Sequence, residues 1–346
     1  MQLLSGTMTL QKAPQNPLER ETQFFFELTP EKILESVEKA GYRTTGRCLT
    51  LNSMENRVYE VELELDEAPK NKSDKFKVVK FYRPNRWTKD QILEEHSFLL
   101  ELKDNEIPVV APEKFLEGST LLQLKDMQMY FTVFPKQGGR SPDELSLDDF
   151  EWVGRLLGRL HAVGASKPNK SRLTLDVETY GVQNLKILQF NKSIAATVEP
   201  KFIEVCENLF KKTRPLFEGV SLQRIHGDCH LGNLIFGAEG YTFVDFDDMV
   251  KGPCVQDAWL LFPDRIENCP QQWNSFLEGY ESFHTFNKAE LRLVEALRAL
   301  RMLHFSVWIS KRWQDPAFQR AFPNFGTERY WEELCLNLQD QVQIIE

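Results

Sequence analysis

Within the run His226-Gly227-Asp228-Cys229-His230-Leu231-Gly232-Asn233, one short stretch carries a carboxylate, an amide, a thiol and two imidazoles. Twelve residues after Asn233 comes a second acidic group, Asp245-Phe246-Asp247-Asp248. Phosphoryl transfer asks little covalent chemistry of a protein. It needs a base near the acceptor hydroxyl, an oxygen-rich metal site on the triphosphate and a cation for the phosphates. This stretch supplies the first two. Magnesium takes few protein oxygens and keeps phosphate and water as its other ligands, which suits the Asn233 amide oxygen together with the Asp245 carboxylate. Asp228, five residues before Asn233, is then left to act as catalytic base beside the metal. Asp245 directly follows the apolar pair Phe243-Val244, where a strand end would meet a cleft.

The cation is expected to be Lys80, in Phe76-Lys77-Val78-Val79-Lys80-Phe81. Alternation puts Lys80 on the strand face of Val78, with Val79 and Phe81 on the other. Glu95 lies three residues from Ile92 and four from Leu99, on the apolar side of the following helix. A buried carboxylate needs a cationic partner, so Lys80 and Glu95 are expected to pair and orient the phosphates. Glu94, on the more polar side, is the fallback partner. No G-x-G-x-x-G is present to cover the phosphates, and the turn Asn52-Ser53-Met54-Glu55-Asn56 stands in its place. Small polar residues can present backbone N–H groups and a hydroxyl to phosphate; a plain polar hairpin turn is the alternative. Adenine is expected against the connection Phe131 to Pro135.

Plainer roles compete for several of these residues. His226 and His230 can brace backbone groups. Zinc could be held by His226, Asp228, Cys229 and His230, but four ligands within five residues lack the spacing of structural zinc sites. Asp247 and Asp248 read equally well as solvated turn carboxylates. Asp257, ahead of Ala258-Trp259-Leu260-Leu261, reads as a helix cap or brace, and Trp308, Trp313 and Trp331 read as core.

The elements that must position these groups are legible in outline. Thr29-Pro30 followed by Ile33, Leu34, Val37 and Gly41 has the cap, apolar stripe and terminal glycine of a short helix. Tyr59, Val61, Leu63 and Leu65 alternate with glutamates and pair across a polar turn with 76–81 as an antiparallel hairpin. Thr88 with Gln91 forms a capping box for a helix whose apolar face is Ile92, Leu99 and Leu102. Met129 to Phe134 reads as another strand, closed by Pro135 and Gly138-Gly139. After Ser146 the pattern is helical, through Phe150, Val153, Leu157 and Leu160 and later 291–313, save for a loop-and-strand island from Ile225 to Asp248. Strands first and helices second imply an α+β protein of two lobes with a ligand-binding cleft between them. The expected divisions are an extension over 1–24, a nucleotide-binding lobe over 25–135 and a helical lobe over 136–346.

The island resembles the catalytic loop H-G-D-x-H-x-x-N and metal-binding D-x-D element of the aminoglycoside-phosphotransferase and choline-kinase branch of the protein-kinase-like fold. Leu156-Leu157-Gly158-Arg159-Leu160-His161 is similar to that branch's preceding helix. Within the branch, the runs 51–59, 79–84, 92–96 and Gly252-Pro253-Cys254-Val255-Gln256-Asp257 resemble the bacterial stress response kinase A family, from about Phe25 to Trp331. The resemblance implies a two-lobed kinase fold with a small β-rich N-lobe and a larger helical C-lobe. It also implies a monomeric serine/threonine protein kinase of stress survival that uses ATP and magnesium and autophosphorylates. Ser53 corresponds to that family's nucleotide-contacting serine.

Composition narrows the alternatives. The net charge of −9 and pI near 5.4 argue against generic nucleic-acid binding, which needs a basic face. Six scattered cysteines without a CxxC indicate reduced thiols. No apolar run of about 18 residues and no signal-like start are present, so a cytoplasmic protein without membrane contact is expected. Three rival functions share some of these residues: a kinase of aminoglycoside, choline or homoserine, a nucleotide-binding pseudokinase, and a metal-dependent phosphohydrolase. The last would leave Lys80 and Glu95 without a role.

Overall fold

The computed structural model describes residues 25–345, so the expected extension over 1–24 lies outside the described residues. Helix α1 (Pro30–Lys39) starts where Thr29 accepts a hydrogen bond from the Lys32 N–H and Pro30 enters the first turn. It buries Ile33 and Val37 against one face of an antiparallel sheet. The sheet is built from β1 (Thr44–Thr50), β2 (Arg57–Leu63), β3 (Phe76–Phe81), β4 (Leu122–Leu124) and β5 (Met129–Pro135), in the order β1-β2-β3-β5-β4. Val61, Val79, Phe81, Phe131 and Val133 line the face under α1. The expected alternation therefore holds, and Val78 and Lys80 point to the opposite face. Leu65 departs from it: β2 ends at Leu63, and Leu65 is 40% exposed.

Helix α2 (Lys89–Asp104) packs on that opposite face. Thr88 and Gln91 form the reciprocal capping box, and Ile92, Glu95, Phe98, Leu99 and Leu102 are buried. The C-lobe begins with α3 (Leu147–Ser166), which lies almost in backbone contact with α7 (Pro270–Glu281). A Cβ on Gly154 would sit 2.2 Å from the Phe276 carbonyl oxygen, and one on Gly279 2.0 Å from that of Glu151. Glycines on both helices make this approach possible. A second core gathers α4 (Gln183–Phe190), α5 (Glu199–Thr213), α8 (Val294–Lys311), α9 (Pro316–Ala321) and α10 (Glu328–Ile344) around Phe202, Leu209, Leu303, Phe318 and Trp331.

The island packs into the core that α3 and α7 share, through Ile225, Leu234, Phe243, Phe246 and Val250. Strand β6 (Gln223–Ile225) pairs with β9 (Val250–Gly252), and β7 (Leu234–Gly237) forms a hairpin with β8 (Gly240–Phe243), followed by the short helix α6 (Val255–Trp259). All six cysteines are free thiols. Among the described residues no helix is long and apolar enough to cross a membrane.

Candidate active site

The loop after β6 is shaped by two buried groups. Gly227 adopts φ +88°, and a Cβ there would lie 2.1 Å from the Asp248 carbonyl oxygen, so glycine is required on both counts. Fully buried Asp257 accepts the backbone N–H groups of His226 and Gly227, both at 2.7 Å, and contacts His161 Nε2 at 3.1 Å. It is a brace, held in the first turn of α6. His226 braces too. Its Nε2 lies 2.9 Å from the Val244 carbonyl, which can only accept, so the proton sits on Nε2 and Nδ1 accepts the Asp228 N–H at 3.3 Å. The loop carrying Asp228 is thereby tied to the strand end carrying Asp245.

Asp245 sits at that strand end in the left-handed region, φ 57°, with its carboxylate 56% exposed. The Asn233 amide nitrogen donates to the Asp228 carbonyl at 2.9 Å, which leaves its amide oxygen for other partners. Asn233 and Asp245 line one cavity, of about 440 Å³, together with Ser53, Asn56, Lys80, Glu95 and the segment Phe134 to Gln137. Asp228 lines a different one, of about 250 Å³, with Arg86, Arg301 and Trp308. The groups expected on the nucleotide side and the group expected on the acceptor side thus fall into separate, neighbouring cavities.

Lys80 is the centre of a cluster the sequence showed only in part. Its Nζ lies 2.9 Å from Asp247 Oδ1, 3.2 Å from Asp245 Oδ1 and 3.8 Å from Glu95 Oε1. Burial would depress the ammonium, but Asp247, Asp245 and Glu95 together raise it well above its ordinary value, so it stays charged. Glu95 is held more closely by Arg172, whose Nη2 is 2.5 Å from Oε2. Glu94, the fallback partner, turns away from the lysine and accepts backbone N–H groups of Lys170, Ser171 and Arg172 instead. This anchors α2 to the loop after α3.

Asp247 corrects the reading of a solvated turn carboxylate. It is buried, meets Arg86 Nη1 at 2.9 Å and accepts from Asn56 Nδ2 at 3.1 Å. Burial acts to raise its carboxyl, yet Arg86, Lys80 and Arg172 hold it well below the usual carboxylate range. Asp248 pairs with Arg86 Nη2 at 2.5 Å and keeps its carboxylate partly exposed. Trp331 and Trp313 belong to the second core, but Trp308 also lines the cavity of Asp228 and donates to Glu55 at 2.6 Å. Arg86, Arg172, Arg301 and Glu55 are the polar residues that sequence reasoning missed. Arg301 meets Asp228, Arg172 meets Glu95, Arg86 meets Asp247 and Glu55 meets Arg312, each pair far apart in the chain, and no local periodicity marks such a pair.

Asp228 itself is paired. Arg301 Nη1 lies 2.6 Å from Oδ1 and His230 Nε2 3.5 Å from Oδ2. Burial works to raise its carboxyl, but His230 and Arg301 outweigh it and hold Asp228 well below the ordinary range. Among the described residues no group of three or more His, Cys, Asp or Glu is arranged to hold a metal, which speaks against the zinc reading. One amide oxygen and one half-exposed carboxylate on the wall of one cavity do fit a hard ion that draws its other ligands from phosphate and water.

Over residues 50–294 the chain matches the phosphotransferase enzyme family. It is 38% identical over 323 residues to stress response kinase A of Escherichia coli strain K12, covering 93% of this chain and 95% of that protein. The serine/threonine protein kinase RdoA of Salmonella typhimurium strain LT2 is 36% identical over 322 residues, covering 93% and 94%. Among solved structures, amicoumacin kinase hAmiN in complex with AMP-PNP, Ca2+ and Ami superposes with a TM-score of 0.70 at 18% identity, covering 93% of this chain and 96% of that one. Choline kinase LicA from Streptococcus pneumoniae gives 0.62 at 18% identity, covering 90% and 98%. At such identities the likeness establishes the fold, a kinase-like pair of lobes with a small antiparallel sheet and a helical C-lobe. The chain is an ATP-dependent phosphotransferase that belongs to the phosphotransferase enzyme family and, within it, to the stress response kinase A family.

Proposed function

We propose that the enzyme transfers the γ-phosphate of magnesium-bound ATP to serine or threonine hydroxyls of proteins, itself included. The observation that carries the reading is the division of labour between the two cavities, with Lys80, Asn233 and Asp245 on one and Asp228 on the other. Lys80, set by Glu95, binds the phosphates, and Ser53 in its turn covers them. Asn233 and Asp245 would hold the magnesium, which when bound neutralises triphosphate charge. Asp228 orients the acceptor hydroxyl for in-line attack on the γ-phosphorus and takes its proton. Adenine lies toward Phe134 to Gln137 on the wall of the larger cavity.

A protein acceptor is supported by the names of the relatives at 36–38% identity. We further take the lobe boundary at Pro135, and the working enzyme to be a cytoplasmic monomer. The test is to incubate pure protein with γ-labelled ATP and magnesium. Label is expected on serine and threonine of the enzyme and of general protein acceptors. Label confined to an added aminoglycoside, choline or homoserine overturns the acceptor class, and no transfer to anything favours a nucleotide-binding module.

A further inference from the structure

We propose that Arg301 selects the acceptor, and that the phosphorylated serine or threonine lies beside an acidic side chain. The inference rests on the protein-acceptor reading above. Its starting point is that Asp228, the group that must receive the acceptor hydroxyl, is held by a guanidinium at 2.6 Å. The contact is a close ion pair rather than an aligned hydrogen bond, since Oδ1 is buried and has no hydrogen-bond partner, and the fixed positive charge competes with a bare hydroxyl for that carboxylate. An acceptor that brings its own carboxylate gives Arg301 a second partner. One ion pair is exchanged for another, and Asp228 is released to the hydroxyl.

The other charged groups of the cavity do not offer this exchange. Arg86 is held by Asp247 at 2.9 Å and by Asp248 at 2.5 Å, neither of which acts on the acceptor. Glu55 is engaged by Arg312 and Trp308. His304, stacked on Tyr180 at 4.4 Å, is kept neutral: burial first, then Lys311, Arg86 and Arg301, bring it down to about 3. Arg301 reaches in from α8 with its side chain 41% exposed, so it can follow an incoming group. It lines the cavity of Asp228 and not that of Lys80, Asn233 and Asp245, which assigns it to the acceptor rather than to the triphosphate. An amine-bearing acceptor would give the guanidinium nothing and would be repelled by it.

The experiment compares two serine peptides that differ only in whether the residues flanking the serine are glutamate or glutamine. Both are assayed with wild-type enzyme, Arg301→Gln and Arg301→Lys. Wild type is expected to favour the acidic peptide in kcat/KM by about tenfold, the scale of one hydrogen bond to a charged group. Arg301→Gln should bring the ratio near one, and Arg301→Lys should keep part of it. Because the readout is a ratio within one preparation, partial misfolding of a variant cancels. A wild-type enzyme that uses both peptides equally overturns the assignment while leaving the protein-kinase reading intact, and so does an Arg301→Gln enzyme that keeps the full preference. Transfer to neither peptide, with transfer to a small hydroxylated amine, overturns both.

Discussion

Glu55→Gln tests how the turn over the nucleotide cavity is held. The Glu55 carboxylate belongs to the N-lobe but is bound by the C-lobe. Arg312 reaches Oε1 at 2.8 and 3.1 Å, and Trp308 Nε1 donates to Oε2 at 2.6 Å. Arg83 and Arg86 stand at 3.4 and 3.5 Å. Burial acts to raise the carboxyl, but Arg86, Arg312 and Arg83 overcome it and bring it from an ordinary 4.5 to about 2. A folded value below the unfolded one means stability that is fully present above about pH 4.5 and is lost as pH falls toward 2. The difference corresponds to about 3 kcal/mol at neutral pH. The isosteric amide removes the charge and leaves several guanidinium groups around a neutral partner, so Glu55→Gln should lose about 3 kcal/mol in urea unfolding at pH 7. At pH 3.5 the unfolded wild-type chain already binds the proton that the folded chain refuses, and the gap should narrow to about 2 kcal/mol. MgATP affinity should fall as well, because the same turn presents Ser53 and Asn56 to the nucleotide cavity. A loss under about 1 kcal/mol at pH 7, typical of an exposed pair, or an identical loss at both pH values, refutes the reasoning.

Lys80→Ala should lower turnover by about 10²-fold or more, as expected on removing a preorganised phosphate-binding charge. Circular dichroism of the variant should still show the native fold, with a lower melting temperature because buried Asp247 and Glu95 lose a cationic neighbour; a wild-type rate would move the phosphate clamp elsewhere. Asp228→Asn and Asp245→Asn should fail differently, because the two residues line different cavities. The first should bind MgATP and lose transfer by about 10²–10⁴-fold, while the second should weaken MgATP binding too. Calorimetry with single-turnover phosphorylation separates them, and the reverse pattern would exchange the two roles.

Periodicity and capping are local signals, and they made α1, the β2–β3 hairpin, α2 and β5 readable from the chain alone. They also put Lys80 and Glu95 on faces that turn toward each other. Strand β1 escaped because it is a sheet edge with few buried residues, so it carries no alternation. Strand β4 is too short to show a period. The spacing of Asp228, Asn233 and Asp245 named the chemistry, since phosphoryl transfer demands few residue types and these stand close in sequence. Long-range pairing was decided only in three dimensions. Asp247 became a buried partner of Lys80 and Arg86, Glu94 became an anchor for backbone N–H groups, and Arg301 came to rest on Asp228. A charged side chain in a sequence carries no mark of its partner. Which carboxylate a guanidinium reaches depends on how the lobes pack, and desolvation in that packing sets how much each pair matters.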